Sequence, residues 1–267
     1  MVTPFDAVID AIKKRGYHNH RLEEHSDIVS EAVWKDLIER CETLRADVQA
    51  GAVRMWLKVP TPGARGRKAD LLVGPPLPGS NEPDITNARI CVENKSVVTA
   101  HRNASSRYDD LDEVLGALQR VRPQIVTAAI VLVGTAARVL NVPDRITPLY
   151  EDHEFKARIL PRLSTGDASL WFEFPRAVSR NRPNDPQRTV EIFRKLPKRA
   201  PALTHIVGYD YLLLVPVFVD NVNPPSVERD NTLGIKVDEE YLRLLTGICN
   251  AYAARWHPET GAAMPTT

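Results

Sequence analysis

Apolar positions along this chain follow two rhythms, and their alternation predicts a layered α/β fold. Phe5, Val8, Ile9 and Ile12 are spaced three and four apart, which predicts a short amphipathic helix over residues 4–15, ended by Gly16. A second helix is read from Ser26, as N-cap, to about residue 50, with Ile28, Ala32, Leu37, Cys41, Leu44 and Val48 on one stripe. Residues 52–59 (AVRMWLKV) alternate at period two, as a half-buried strand does. Two more strands are expected in RKADLLVG (67–74) and ARICVENKSV (88–97), joined by a loop with four prolines and two glycines over residues 74–87. Residues 103–121 read as a helix carrying Leu111, Val114, Leu115 and Leu118, and the apolar run AAIVLVGT (128–135) as a strand covered on both faces. Strand, helix and buried strand in succession predict a parallel crossover, hence a mixed sheet with helices on its faces.

The second half is harder to read. A short helix is expected near residues 153–160, and LWFEF (170–174) looks like a strand. Residues 176–199 hold eight Lys/Arg against two acids and read as a basic loop. YDYLLLVPVFV (209–219) predicts a buried strand, and its Pro216 an edge or a bulge. A closing helix over residues 238–256 has Leu242, Leu245, Ile248, Cys249 and Tyr252 on one face, for the sheet or for a second copy of the chain. The expected organisation is an N-terminal helix and connection (1–25), a core (26–135), its continuation with the basic segment and closing helix (136–257), and a disordered tail (258–267).

Composition changes this picture little. At 267 residues, 43% apolar and 26% charged, the chain has the make-up of an ordinary globule, and its net charge of +1 gives no global nucleic-acid signature. Cys41, Cys91 and Cys249 are widely spaced and form no CxxC pair, so reduced thiols are expected rather than disulfides or a cysteine-bound zinc. The N-terminus lacks the apolar run of a signal peptide and no 18-residue apolar stretch occurs, so a soluble cytoplasmic protein is expected. His18 and His20, in YHNHR, read as loop histidines.

The chemistry-bearing residues concentrate in the two central strands. Glu93 and Lys95, two apart, project to one face, while Ile90, Val92 and Asn94 point to the other. An aspartate, Asp70, lies inside the strand before them. Two carboxylates hold a hard divalent cation, which polarises phosphate and activates water, and a neighbouring ammonium adds positive charge. Asp70, 22 residues and then Glu93-Asn94-Lys95 resembles the PD-(D/E)xK nuclease superfamily, which includes most type II restriction endonucleases. The likeness covers residues 26–135 and departs from the nominal pattern at Ala69, which stands where proline is usual. A literal Pro83-Asp84 offers an alternative first carboxylate, but Asp84 sits in a loop (GSNEPDIT) whereas Asp70 is embedded in KADLLV.

The resemblance implies a restriction-endonuclease-like mixed central sheet flanked by helices, with Mg²⁺ as cofactor and Mn²⁺ as a substitute. Asp70 and Glu93 would hold the metal and Lys95 would orient water and stabilise phosphate charge. In that family a helix ahead of the first strand often adds an acid; Glu31 is the candidate here and Glu24 the second. Double-stranded DNA is the implied partner, gripped by a basic loop (Arg65, Arg67, Lys68), by His101, Arg102 and Arg107 at a helix start, and by Arg180, Arg182 and Arg188. A homodimer matching a palindrome is expected, with no membrane association. The absence of GxxxxGK[ST] argues against a nucleotide cofactor. The leading expectation is a sequence-specific restriction enzyme; a repair, structure-specific or phage-defence nuclease of the same fold, or a non-catalytic DNA-binding protein, are the alternatives.

Overall fold

The apolar run of residues 126–133 forms the centre of the sheet, because a strand with no polar side to offer must be covered on both faces. In the computed structural model the described residues are 3–15, 24–63, 66–98, 101–141 and 152–258. Six strands, β1 (Arg54–Pro60), β2 (Lys68–Gly74), β3 (Ile90–Val97), β4 (Val126–Gly134), β7 (Tyr211–Phe218) and β8 (Ser226–Val227), make one sheet in the order β1-β2-β3-β4-β7-β8. The pairs β1/β2, β2/β3 and β7/β8 are antiparallel, whereas β3/β4 and β4/β7 are parallel. Every residue of β4 is buried. The mixed α/β sheet and the crossover between β3 and β4 are thus as the sequence predicts.

Helices α1 (Pro4–Arg15), α2 (Glu24–Arg40), α3 (Glu42–Gln49) and α6 (Val237–Trp256) lie together on one side of the sheet, while α4 (Ala104–Val121) and α5 (Asp185–Arg194) cover the other. The long helix expected to residue 50 is in fact two. It breaks at Cys41, whose backbone is extended (φ −92°, ψ 97°) and whose sulfur is joined to Cys249 of α6, 5.2 Å away between Cα atoms. This pairing corrects the expectation of three reduced thiols; Cys91 alone is free, and it is buried. The closing helix packs on the sheet.

Between β4 and β7 the chain builds a smaller unit around the antiparallel pair β5 (Arg138–Leu140) and β6 (Val178–Arg180), with its own core of Leu140, Ile159, Leu163, Leu170, Trp171 and Phe174. Here two expectations fail. LWFEF is a helical turn: just ahead of it Asp167 accepts from the N–H and hydroxyl of Ser169, and Leu170 and Trp171 are buried while Phe172 is exposed, which is not an alternating pattern. Residues 176–199 are not a loop, since they contain β6 and α5, whose Thr189, Val190 and Phe193 are buried on one side. The dense charge of that stretch masks the short apolar spacing. Arg199, at its end, is internal, paired with Asp210, which also binds Arg255; both side chains of the first pair have no exposure. The edge expectation for Pro216 is not met, since β7 lies between β4 and the two-residue β8; the Pro216 carbonyl accepts from the N–H of Glu228 on that outer side, where the ladder is short.

The loop histidines and Gly16, Arg65, and residues 259–267 of the tail lie outside the described residues. Among the described residues no helix is long and apolar enough to cross a membrane.

The Cys41–Cys249 bond closes a loop with a sequence separation of 208 residues, so it restricts the unfolded chain strongly. Reduction with dithiothreitol is expected to lower stability in urea by roughly 2–5 kcal/mol, and a Cys41→Ser/Cys249→Ser variant should match the reduced protein and ignore the reductant. Equal stability of oxidised and reduced protein would show the bond to be absent in solution.

Candidate functional site

The site arises where the antiparallel ladder between β2 and β3 stops. Backbone pairing runs from Val73↔Ile90 to Leu71↔Val92 and ends there. One residue further, side chains take the place of the missing ladder bonds. The Asp70 N–H donates to Glu93 Oε1 (3.1 Å), and Asp70 Oδ2 accepts from the Asn94 N–H (2.8 Å). The two carboxylates therefore satisfy backbone donors that would otherwise be unpaired beside a buried sheet. The parallel ladder of β3 with β4 continues past this point to Val97 and holds Glu93 and Lys95 in register.

Lys95 joins the two carboxylates. Its Nζ lies 3.0 Å from Glu93 Oε2, 3.1 Å from Asp70 Oδ2 and 3.3 Å from the Asn94 carbonyl, so each of the three ammonium protons has an acceptor. Glu93 is 1% exposed, and burial pushes its pKa up to about 7; Lys95 opposes the rise and Asp70 adds to it. Burial alone would pull the Lys95 ammonium down, yet Glu93 and Asp70 outweigh it and hold the pKa above its ordinary value. The buried Cys91 thiol, 3.8 Å from Glu93 Oε1, is pushed up by burial and by the adjacent carboxylate. Asn94 points the other way, as alternation predicts: its amide donates to Ser30 Oγ (2.8 Å) on α2 and ties that helix to the site.

Asp70 and Lys95 open into a cleft of about 360 Å³. Five cations, Lys58, Arg67, Lys68, Lys95 and Arg107, line it against two carboxylates, Asp70 and Asp110. The site is locally basic on a chain whose net charge is only +1. Arg67 and Arg107 both pair with the buried Asp110 of α4, Arg107 at 3.0 Å, which holds their guanidinium groups at the rim.

The sequence-predicted residues divide into two groups. Asp70, Glu93, Lys95, Arg67, Lys68 and Arg107 come together. Asp84 does not join them: it caps the short turn Ile85–Asn87, and its hydrogen bonds to Asn87 and then Thr86 lower its pKa. Glu31 is exposed on α2 and takes no part in the Asp70–Glu93–Lys95 cluster, because the residue of that helix facing β3 is its neighbour Ser30. Glu24 opens α2. His101 is turned inward, buried, with Nδ1 2.7 Å from Thr189 Oγ1 of α5; burial lowers its pKa, which favours the neutral ring. Arg102, Arg180, Arg182 and Arg188 are exposed, and none of them lines the cleft.

Sequence reasoning missed Lys58 and Asp27. Lys58 Nζ is 2.8 Å from Asp27 Oδ2 of α2 and lines the cleft from β1. Its backbone is left-handed (φ 54°), a conformation that costs a non-glycine residue on the order of 1–3 kcal/mol. It sits across from Asp70, between the pairs Leu57↔Leu71 and Val59↔Ala69. Both strands lose strict alternation here: Trp56 and Val59, and likewise Ala69 and Leu72, lie three apart yet pack into the same cluster under α4. A positive φ inside a strand leaves no trace in residue type when the residue is lysine.

Two carboxylates sharing an ammonium are hard oxygen donors suited to Mg²⁺ with water completing its coordination, so the donor set fits such an ion. Among the described residues there is no group of three or more metal-ligating side chains. No family model matches the chain, and neither a curated protein nor a solved structure matches it.

Because the folded state holds the Glu93 proton more tightly than the unfolded chain (pKa about 7 against 4.5), its contribution to stability is full below pH 4.5 and is lost as pH rises to about 7. In metal-free buffer, Glu93→Gln is expected to gain on the wild type by on the order of 2–3 kcal/mol between pH 5 and pH 8 in urea titrations. A difference independent of pH would mean that Glu93 is not buried as described.

Proposed function

We propose that the chain is a divalent-metal-dependent endonuclease of the PD-(D/E)xK type, built on a restriction-endonuclease-like sheet and acting on double-stranded DNA, as a type II restriction enzyme does. The observation that supports it is the meeting of Asp70, Glu93 and Lys95, from two strands, with Asp70 and Lys95 opening into a cleft that four further cations line. The sequence spacing alone required only that Glu93 and Lys95 share a face; the structure adds Asp70 within 3.1 Å of the same ammonium.

In this reading Asp70 and Glu93 hold Mg²⁺, for which Mn²⁺ substitutes. The bound ion supplies Lewis-acid stabilisation of the phosphate and an activated water. Lys95, kept protonated by its two carboxylates, offers positive charge where the phosphorane develops it and orients the attacking water. Arg67, Lys68 and Arg107 contact flanking phosphates, which positions the duplex without reading its sequence. Arg180, Arg182 and Arg188, away from the cleft, extend the basic surface along the DNA, and a two-fold dimer would match a palindromic site.

Incubation with phage and plasmid DNA in Mg²⁺ is expected to give discrete fragments, none in EDTA. Lys95→Ala should cut at least roughly 10²-fold more slowly while binding duplex within a few-fold of wild type. A smear or a preference for branched DNA would favour a repair or structure-specific nuclease. A gel shift without metal-dependent cleavage would favour a DNA-binding protein, and undiminished cleavage by Lys95→Ala would remove the assignment of the site.

A further inference from the structure

Lys58 is one of two non-glycine residues with a positive φ among the described residues, and it alone lies in a strand of the main sheet. The left-handed residue turns β1 over, so that Val59 packs into the same cluster as Trp56, but this change of face does not call for a lysine. The register of β1 with β2 is the same on either side of it, so no residue has been inserted that the chain must absorb. A glycine would take the same backbone shape without strain. Unfavourable backbone geometry that is kept at a lysine, opposite a candidate metal carboxylate, is the pattern expected where the side chain rather than the fold is needed.

The side chain agrees. Lys58 reaches the cleft that Asp70 and Lys95 open into, and its Nζ rests on Asp27 Oδ2 at 2.8 Å. Both members of this pair are about one-third exposed, so the bond is a weak one that solvent screens. By contrast, the Lys95 ammonium beside it is enclosed by three acceptors. Lys95 is thus fixed on the carboxylates, while the Lys58–Asp27 pair stands open to solvent at the mouth of the same cleft.

We propose that Lys58 is a phosphate-contacting residue of the cleft, held at Asp27 in the absence of substrate and transferred to a backbone phosphate next to the scissile one when a polynucleotide binds. The inference rests on the nuclease reading above and adds to it a residue of the strand before Asp70. The left-handed backbone aims the ammonium into the cleft from the β1 side, facing the cations of β2 and α4. No covalent step is involved; one ion pair is exchanged for another.

The test compares wild type, Lys58→Gly and Lys58→Arg, using fluorescence anisotropy of a labelled DNA duplex in Ca²⁺, thermal unfolding without DNA, and cleavage in Mg²⁺. Lys58→Gly should unfold about 2–4 °C higher, because strain is relieved. The same variant should bind duplex roughly 10-fold more weakly, with a salt slope smaller by about 1. Lys58→Arg should keep binding within about 3-fold and leave the unfolding temperature unchanged, since it keeps both charge and strain. Higher stability together with weaker binding is a combination that a merely structural lysine would not give. Unchanged binding in Lys58→Gly, or a lowered unfolding temperature with equal loss in Lys58→Arg, would overturn the proposal. A wild type that binds duplex but never cuts would sink the nuclease reading while the binding comparison still decides Lys58; a wild type that does not bind duplex would overturn both.

Discussion

A carboxylate buried beneath a sheet has to be neutralised and hydrogen-bonded, and the arrangement of this molecule around Glu93 follows from that demand. Glu93 receives the Asp70 N–H on one oxygen and the Lys95 ammonium on the other. Each of these bonds fixes something else. The first terminates the β2/β3 ladder, and the second draws Lys95 across to Asp70, so that three ionisable groups from two strands share one cluster. Replacing this cluster with apolar residues would make an ordinary sheet edge. Keeping it puts a concentrated, partly open charge arrangement at the floor of a basic cleft, at a cost in desolvation that an apolar replacement would avoid.

The strands themselves yield to the cluster. Alternation fails in β2 around Asp70 and in β1 at Lys58, at facing positions of an otherwise even register. Asn94, the residue between the acid and the lysine, turns to α2 and anchors it through Ser30, so the helix that also presents Asp27 is placed by the same three-residue segment. On the far side, Asp110 of α4 gathers Arg67 and Arg107. Elsewhere, a second buried ionic group, Arg199–Asp210–Arg255, fastens α6 to the start of β4 through the Thr127 N–H and the Ile125 carbonyl. That group is closed to solvent, whereas the Asp70–Glu93–Lys95 cluster opens through Asp70 and Lys95 into a cleft.

Where period and burial agreed, the sequence was legible. The run at residues 128–135 read as a doubly covered strand, and the spacing of Glu93 and Lys95 required a shared face. Legibility failed where a tertiary partner decided the local shape. The break at Cys41 depends on Cys249, which lies 208 residues away, and no local signal announces it. LWFEF has strand-forming residues but forms a helical turn, entered through the bond from the Ser169 N–H to Asp167. In α5 two buried apolar residues, Val190 and Phe193, were hidden among charges, and Arg199 counts as surface charge until Asp210 is seen beside it. Within the site, Asp70 could be preferred to Asp84 from strand context alone, and the cap formed by Asp84 gives the physical reason. His101 could not be read as buried, since its partner Thr189 belongs to an unforeseen helix.

The central claim is that Asp70 and Glu93 together take one hard divalent cation. Its most direct test is Mn²⁺ binding, followed by electron paramagnetic resonance or calorimetry in the presence of a duplex, for wild type, Asp70→Asn and Glu93→Gln. The account predicts a saturable site in the wild type that weakens below pH 7 as the Glu93 carboxyl takes up its proton, and that at pH 8 is at least roughly 10-fold weaker in each variant. Binding that is undiminished in both variants would contradict it.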